Sequence, residues 1–164
     1  MRLIQTIRRM NRKTIRLALA ITKFDVFESR NFCNAYKFRI YDLIDKDLVY
    51  VEDIFNENRS AVDKKTGTPE DNSNAIIDLL KNHNINVLVS SVYGRNLQKV
   101  NTHFIPVVVS SETPDEVITA IIKHIKWIED ELANRPAEFK LFTIKKGILK
   151  TAVKKDASVV LEVK

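Results

Sequence analysis

The sequence predicts an α/β fold: a mixed five-stranded sheet, with three antiparallel strands followed by alternating helix and strand, covered by helices. Three observations predict it. Residues 15–55 hold three apolar-patterned runs, the last two separated only by Asp45-Lys46-Asp47, a link that suits a hairpin. Residues 87–90 and 105–109 are short, nearly continuous apolar runs, the pattern of strands buried on both faces. Thr113-Pro114-Asp115-Glu116 has the form of a capping box with proline in the first turn, which is the strongest helix start in the chain.

Each element follows in order. Residues 15–21 (I-R-L-A-L-A-I) alternate apolar with small or polar side chains and give the first strand; residues 36–44 and 48–55 give the second and third. The polar stretch 56–70, with Gly67 and Pro69, reads as a long loop of the kind that is often functional. Thr68-Pro69-Glu70-Asp71 then offers a cap, and Ile76, Ile77, Leu79 and Leu80 supply one apolar helix face. After the strand at 87–90, residues 95–102 suit a short helix and 105–109 the fifth strand. Val117, Ile118, Ile121, Ile122, Ile125 and Ile128 line one face of a helix expected to run from the capping box to about residue 134, where Pro136 stops it. Alternation of strand and helix in this half favours parallel pairing.

At 164 residues with 45% apolar side chains, one domain with a single core is expected. The chain divides into a basic leader over residues 1–14, a domain over 15–135 and an extension over 136–164. Alternating patches in the extension (F-K-L-F-T-I, S-V-V-L-E-V) suit an extra hairpin or a swapped strand. A lone cysteine excludes an intrachain disulfide, so a reducing, cytoplasmic setting is the natural expectation. Apolar runs such as 105–109 fall far short of the ~20 residues a membrane span needs, so no membrane partner is expected.

The net charge of +6 is unevenly placed. Residues 1–16 carry six basic side chains and no acid, and residues 140–164 carry seven lysines against Asp156 and Glu162, which leaves the middle net acidic. A high isoelectric point is therefore a property of the flanks, and nucleic acid is expected as a partner only through these basic termini. Residues 1–13 lack the apolar core of a secretory signal and the serines of a transit peptide. They read as a solvated leader, or as residues upstream of an alternative start at Met10. The other readings are a partner-binding helix and a nucleic-acid tail.

Catalytic patterns are weak. Two-metal phosphodiester cleavage needs carboxylates converging from several strands. Here Asp25 and Glu28 lie beyond the first strand and Asp42 closes the second, so all three read as solvated turn acids. Neither a nucleophile elbow nor a glycine-rich phosphate loop occurs, since the glycines are only Gly67, Gly94 and Gly147. A non-catalytic protein is expected. Gly94 follows a buried strand and opens a helix, a place where free N–H groups meet anions, and Arg95 and Asn96 add a charge and a donor; a plain turn is the other reading. Cys33 is a soft donor suited to a metal site, or else a small buried apolar side chain. His83, His103 and His124 have no ligand spacing among themselves, and only His103, ahead of the fifth strand, is expected near ligand-binding strand ends.

Two stretches together resemble one family. N-V-L-V-S-S-V-Y-G-R-N-L-Q-K-V-N-T-H-F-I-P-V-V-V-S-S-E-T-P-D-E-V-I-T-A, over residues 86–120, is similar to the C-terminal half of the dinitrogenase iron-molybdenum cofactor biosynthesis family, with Gly94, Thr113 and Glu116 in place. S-R-N-F-C-N-A-Y-K-F-R-I-Y-D, from Ser29, resembles that family's Ser-x-His-Phe-Gly-x-Ala-x-x-Phe-x-Ile-Tyr-Asp segment, with Ser29, Phe32, Ala35, Phe38, Ile40, Tyr41 and Asp42 in register. The family's His is Asn31 here and its Gly is Cys33. The resemblance implies a ribonuclease H-like fold and a binding or carrier protein for an iron-sulfur or iron-molybdenum cluster, or another anionic ligand, with metallocluster assembly proteins as partners. It places the ligand at Asn31, Cys33, Gly94 and Arg95, with His103 as an additional donor and Cys33 as the metal ligand. The alternative is a structural interaction module whose basic flanks bind nucleic acid or an acidic protein.

Overall fold

β1 (Arg16–Ile21) shows why a mixed sheet forms. Leu17 to Ile21 are fully buried, so this strand presents apolar side chains to both faces and needs a partner along each edge. The computed structural model describes residues 14–57, 69–155 and 158–162, and in it β2 (Lys37–Ile44) pairs antiparallel with one edge of β1 while β4 (Val87–Ser90) pairs parallel with the other. β3 (Asp47–Phe55) returns beside β2 through a two-residue turn in which Asp45 and Lys46 both take positive φ, +50° and +67°, the twist that matches a tight hairpin. β5 (Ile105–Val109) adds in parallel to β4. The order β3-β2-β1-β4-β5, with the expected mixture of directions, is ribonuclease H-like.

The C-terminal residues extend this same sheet. β6 (Leu141–Lys145) pairs parallel with β5, and β7 (Ile148–Lys155) and β8 (Ser158–Glu162) follow as antiparallel neighbours, giving eight described strands where five were expected in the core. Gly147, at φ +75°, makes the β6–β7 turn possible. Residues 1–13, and residues 58–68 of the expected long loop, lie outside the described part.

Helices cover both faces. α1 (Pro69–Asn82) and the short α2 (Leu97–Val100) pack Ile76, Ile77, Leu80 and Val100 against Ala18, Ala20, Phe38, Ile40 and Leu88. On the other face α3 (Pro114–Lys123) and α4 (Ile125–Asn134) pack Val117, Ile121 and Ile128 against Leu17, Leu19, Val89, Val107 and Phe142. The crossovers β4–α2–β5 and β5–α3–α4–β6 advance the same way along the sheet but on opposite faces. They therefore have opposite hands, and one departs from the right-handed rule for parallel crossovers. No described helix is long and apolar enough to cross a membrane.

Three expectations are corrected in detail. The single helix expected up to residue 134 breaks at His124, whose φ of −115° and ψ of 24° leave the helical basin while its ring stacks on Trp127 at 4.8 Å. The helix expected over 95–102 is shorter: a 3-10 turn, Gly94–Asn96, runs into α2, which ends at Val100. The acids read as solvated are paired: Asp42 with Arg16 at 2.7 Å, Glu28 with Arg30 at 2.7 Å, and Asp25 with Lys37 and Arg39 at 2.8 and 2.9 Å. Glu28 is also buried.

The capping box at α3 is complete. Glu116 N–H donates to Thr113 Oγ1 at 3.2 Å and Thr113 N–H donates to Glu116 Oε1 at 3.0 Å. Thr113→Ala removes half of it, and the expected loss is about 1 kcal/mol in unfolding free energy, read as a lower urea midpoint at unchanged slope.

Candidate functional site

The chain changes direction across the sheet between β1 and β4: the loop after β1 leads away to β2, and the loop after β4 leads the other way to β5. Open α/β sheets leave a crevice where such loops part, beyond the carboxyl ends of the strands. Here one side chain spans it. Asn31 donates from Nδ2 to the Tyr93 carbonyl at 2.8 Å and accepts at Oδ1 from the Cys33 N–H at 3.1 Å. The backbones also meet, with a parallel bridge between Asn31 and Val92 and a Phe32 N–H bond to the Val92 carbonyl at 3.2 Å.

Local sequence explains the geometry. Asn31 caps a 3-10 turn, Phe32–Asn34, and a carboxamide suits that task because it offers an acceptor to the turn and a donor to the neighbouring loop. Across the crevice, a Cβ at Gly94 would lie 3.4 Å from Asn31 Nδ2, an ordinary contact, so it is the positive φ of +58° that favours glycine there. Ser90, at the end of β4, donates from Oγ to the Val92 carbonyl at 3.1 Å and shapes the same turn. Phe32 and Tyr93 stack obliquely beneath it, centroids 5.7 Å apart.

Cys33 lies inside this joint. The residue is 5% exposed, and burial pushes its thiol from 9.0 up to about 12, against smaller opposing effects of a backbone hydrogen bond and the Lys99 charge. Asn96 Nδ2 approaches Sγ at 4.0 Å, a long contact suited to sulfur. The Cys33 carbonyl accepts from buried Asn56, which also bonds the Ala35 carbonyl, at 3.0 and 2.9 Å.

Of the residues expected at the site, the structure brings together Asn31, Cys33 and Gly94, with Arg95 exposed beside them on the rim. His103 goes elsewhere. It precedes β5, whose first residue pairs with the first residue of β4, so it sits at the amino ends of the parallel strands. The register of β4 and β5 separates it from Gly94 by the length of a strand, which a reading of sequence order alone could not resolve. There it lines a groove of about 690 Å³ with Ile15, Asn86, Leu132 and Phe139. Burial, and then the Lys81 charge, hold its pKa below the ordinary histidine value.

Asn56 and Tyr93 belong to the joint and were not marked by sequence, whereas Asn96, expected as a donor beside Gly94, lies there. Tyr93 carried a usable signal, an aromatic directly before the glycine of a strand-ending turn. Asn56 carried none. Compared with models of known protein families and with curated proteins, the chain matches none. The argument about the site therefore rests on its donors. Among the described residues no three His, Cys, Asp or Glu side chains gather as metal ligands do. The donors at the joint are one buried, protonated thiol and the carboxamides of Asn31 and Asn96. This set does not fit a metal-sulfur cluster, which calls for several soft, anionic or imidazole ligands. It does fit a structural role for Cys33 and a hydrogen-bonding role for the rim.

Two outcomes follow. Asn31→Ala strands the Cys33 N–H and leaves the Tyr93 carbonyl only the Asn96 N–H, at 3.2 Å, and should lower stability by ~1–3 kcal/mol in denaturant titration. Because the Cys33 thiol is raised in the folded chain, its contribution is complete below 9.0 and is lost as pH climbs towards about 12. The stability difference between wild type and Cys33→Ala should shrink across that interval, as followed by urea unfolding at stepped pH.

Proposed function

We propose that this chain is a non-catalytic binding or carrier protein, related to the assembly proteins of the nitrogenase iron-molybdenum cofactor, that takes a small oxyanion at the rim formed by Gly94, Arg95 and Asn96. The observation that carries the reading is the Asn31 bridge: it ties the two stretches on which the family resemblance rests into one joint at the switch point of the sheet. Gly94 and Arg95 are exposed there and Asn96 is half-buried. An exposed backbone in the left-handed conformation, a guanidinium and a carboxamide together offer donors and positive charge, which suits an anion of phosphate or molybdate size. Cys33 shapes the seat from below and holds no metal in this reading. The chain would work in the cytoplasm, in keeping with a buried free thiol. The alternative, a module whose basic flanks bind nucleic acid or an acidic protein, falls on residues 1–13 and on lysines of the C-terminal strands.

A two-dimensional amide NMR titration with sodium molybdate tests the proposal. Saturable shifts are expected at the Gly94, Arg95 and Asn96 N–H groups and at the Asn31 side-chain amide, and Arg95→Ala should raise Kd about tenfold, the loss of one charge-assisted hydrogen bond. Shifts that do not saturate, or that survive Arg95→Ala unchanged, would remove the rim as the binding site. A brown, iron- and sulfide-containing protein after anaerobic reconstitution, lost in Cys33→Ala, would return the metal to Cys33.

A further inference from the structure

A single residue, His124, joins α3 to α4. Its N–H bonds back to the Ala120 and Ile121 carbonyls at 3.2 and 3.1 Å and so ends α3, while its carbonyl accepts from the Trp127 N–H at 3.0 Å and so begins α4. The bend between the helices is its own backbone, at φ −115° and ψ 24°. Its ring lies on Trp127 with centroids 4.8 Å apart and planes 30° from parallel, and its Nε2 is buried with no hydrogen-bond partner.

We infer that this joint is an acid-sensitive hinge: it is closed while the His124 ring is neutral, and protonation drives the ring off Trp127 into water and frees α4 to move against α3. The inference is independent of the anion site. A neutral imidazole tolerates the position, because Nε2 can carry a lone pair there and do without a donor. An imidazolium has an N–H on both nitrogens, so Nε2 becomes a charged donor with no acceptor. That unpaired charge costs more than a cation–π contact with the indole returns.

The surroundings do not rescue the charged form. The carboxyl end of α3 favours a cation at His124, but α4 begins at the next residue and its amino end disfavours one. Lys123, the preceding residue, adds a like charge, and no carboxylate acts on the ring to offset it. The strand side chains with which Ile125 and Trp127 pack, Val107, Val109, Phe142, Ile144 and Leu149, are apolar. Burial, and then the Lys123 charge, accordingly hold the pKa of His124 below its ordinary value of 6.5. The contribution of the closed joint is therefore complete above 6.5 and is lost as pH falls through the lower folded value. α4 supplies Glu129, Leu132 and Arg135 to the groove beside His103, so opening the hinge reshapes that groove.

Trp127 is the chain's only tryptophan, so its fluorescence reads the joint directly. With the pH stepped from ~8 down to ~4.5, the emission maximum should move to the red along a one-proton curve whose midpoint lies below 6.5. His103→Gln should keep that curve. His124→Phe, which leaves an aromatic ring on the indole but cannot titrate, should abolish it. Emission that does not shift, intensity lost at constant wavelength (an imidazolium that stays on the indole), a midpoint at or above 6.5, or a curve that survives His124→Phe or vanishes in His103→Gln each overturns the inference. Should a variant fail to fold, wild type decides alone: the His124 ring signals in a proton–nitrogen NMR titration must share the midpoint of the Trp127 shift, and a mismatch overturns the hinge.

Discussion

The parallel pairing of β1 with β4 is the constraint on which the rest of the structure depends. The two strands are far apart in sequence, and bringing them together has a loop-closure cost that local turns do not have. The molecule meets that cost at both ends of the pair. At the amino end the Arg16 N–H donates to Asn86 Oδ1 at 2.8 Å, the Asn86 N–H returns a bond to the Arg16 carbonyl at 2.9 Å, and the Arg16 guanidinium reaches both Asp42 and the His83 carbonyl. At the carboxyl end Asn31 holds the Tyr93 carbonyl. Between them, Leu17, Ala18, Leu19, Val87, Leu88 and Val89 exclude water from both faces. Once β1 and β4 are fixed, β2 and β5 have no other edge to occupy, and the helices have two apolar faces to cover.

Much of this was legible because local signals agreed with the global arrangement. The Asp45-Lys46 link, the apolar runs at Val87–Ser90 and Ile105–Val109 and the Thr113 capping box each named an element that the structure contains. Several of the readings that changed concern contacts between residues remote in sequence. Asp42 looks like a solvated acid at a strand end until Arg16, from the neighbouring strand, closes on it at 2.7 Å. His103 looks close to Gly94 along the chain, yet α2 carries it to the other end of the sheet. The break at His124 has no sequence signature, since the apolar spacing of Val117, Ile121 and Ile128 continues across it.

The site was half legible for the same reason. Gly94 announces itself by type, since little else adopts its φ beside Asn31. Whether Cys33 is a ligand or a packed side chain depends on what encloses it, and that enclosure comes from Asn56, Asn96 and α1, none of which lies near it in sequence. The Asn31 side chain is an amide, which does not titrate, so its two hydrogen bonds do not depend on a protonation state. The corner is thus better made for holding two loops together than for presenting a reactive donor.

Tyr93 carries that point further. Its hydroxyl bonds the Leu88 carbonyl in β4, accepts from the Val107 N–H at 3.2 Å, and lies 3.0 Å from the Val107 carbonyl in β5, next to Pro106, which has no N–H to give. The turn that bears Gly94 is therefore bolted through its first residue to the seam between two central strands. Swinging that turn outward would tear hydrogen bonds out of the middle of the sheet, so it cannot serve as a door. Any molecule that settles on the rim enters a seat already in its final shape, and its exchange with solvent is governed by encounter and escape, with no gate to wait for.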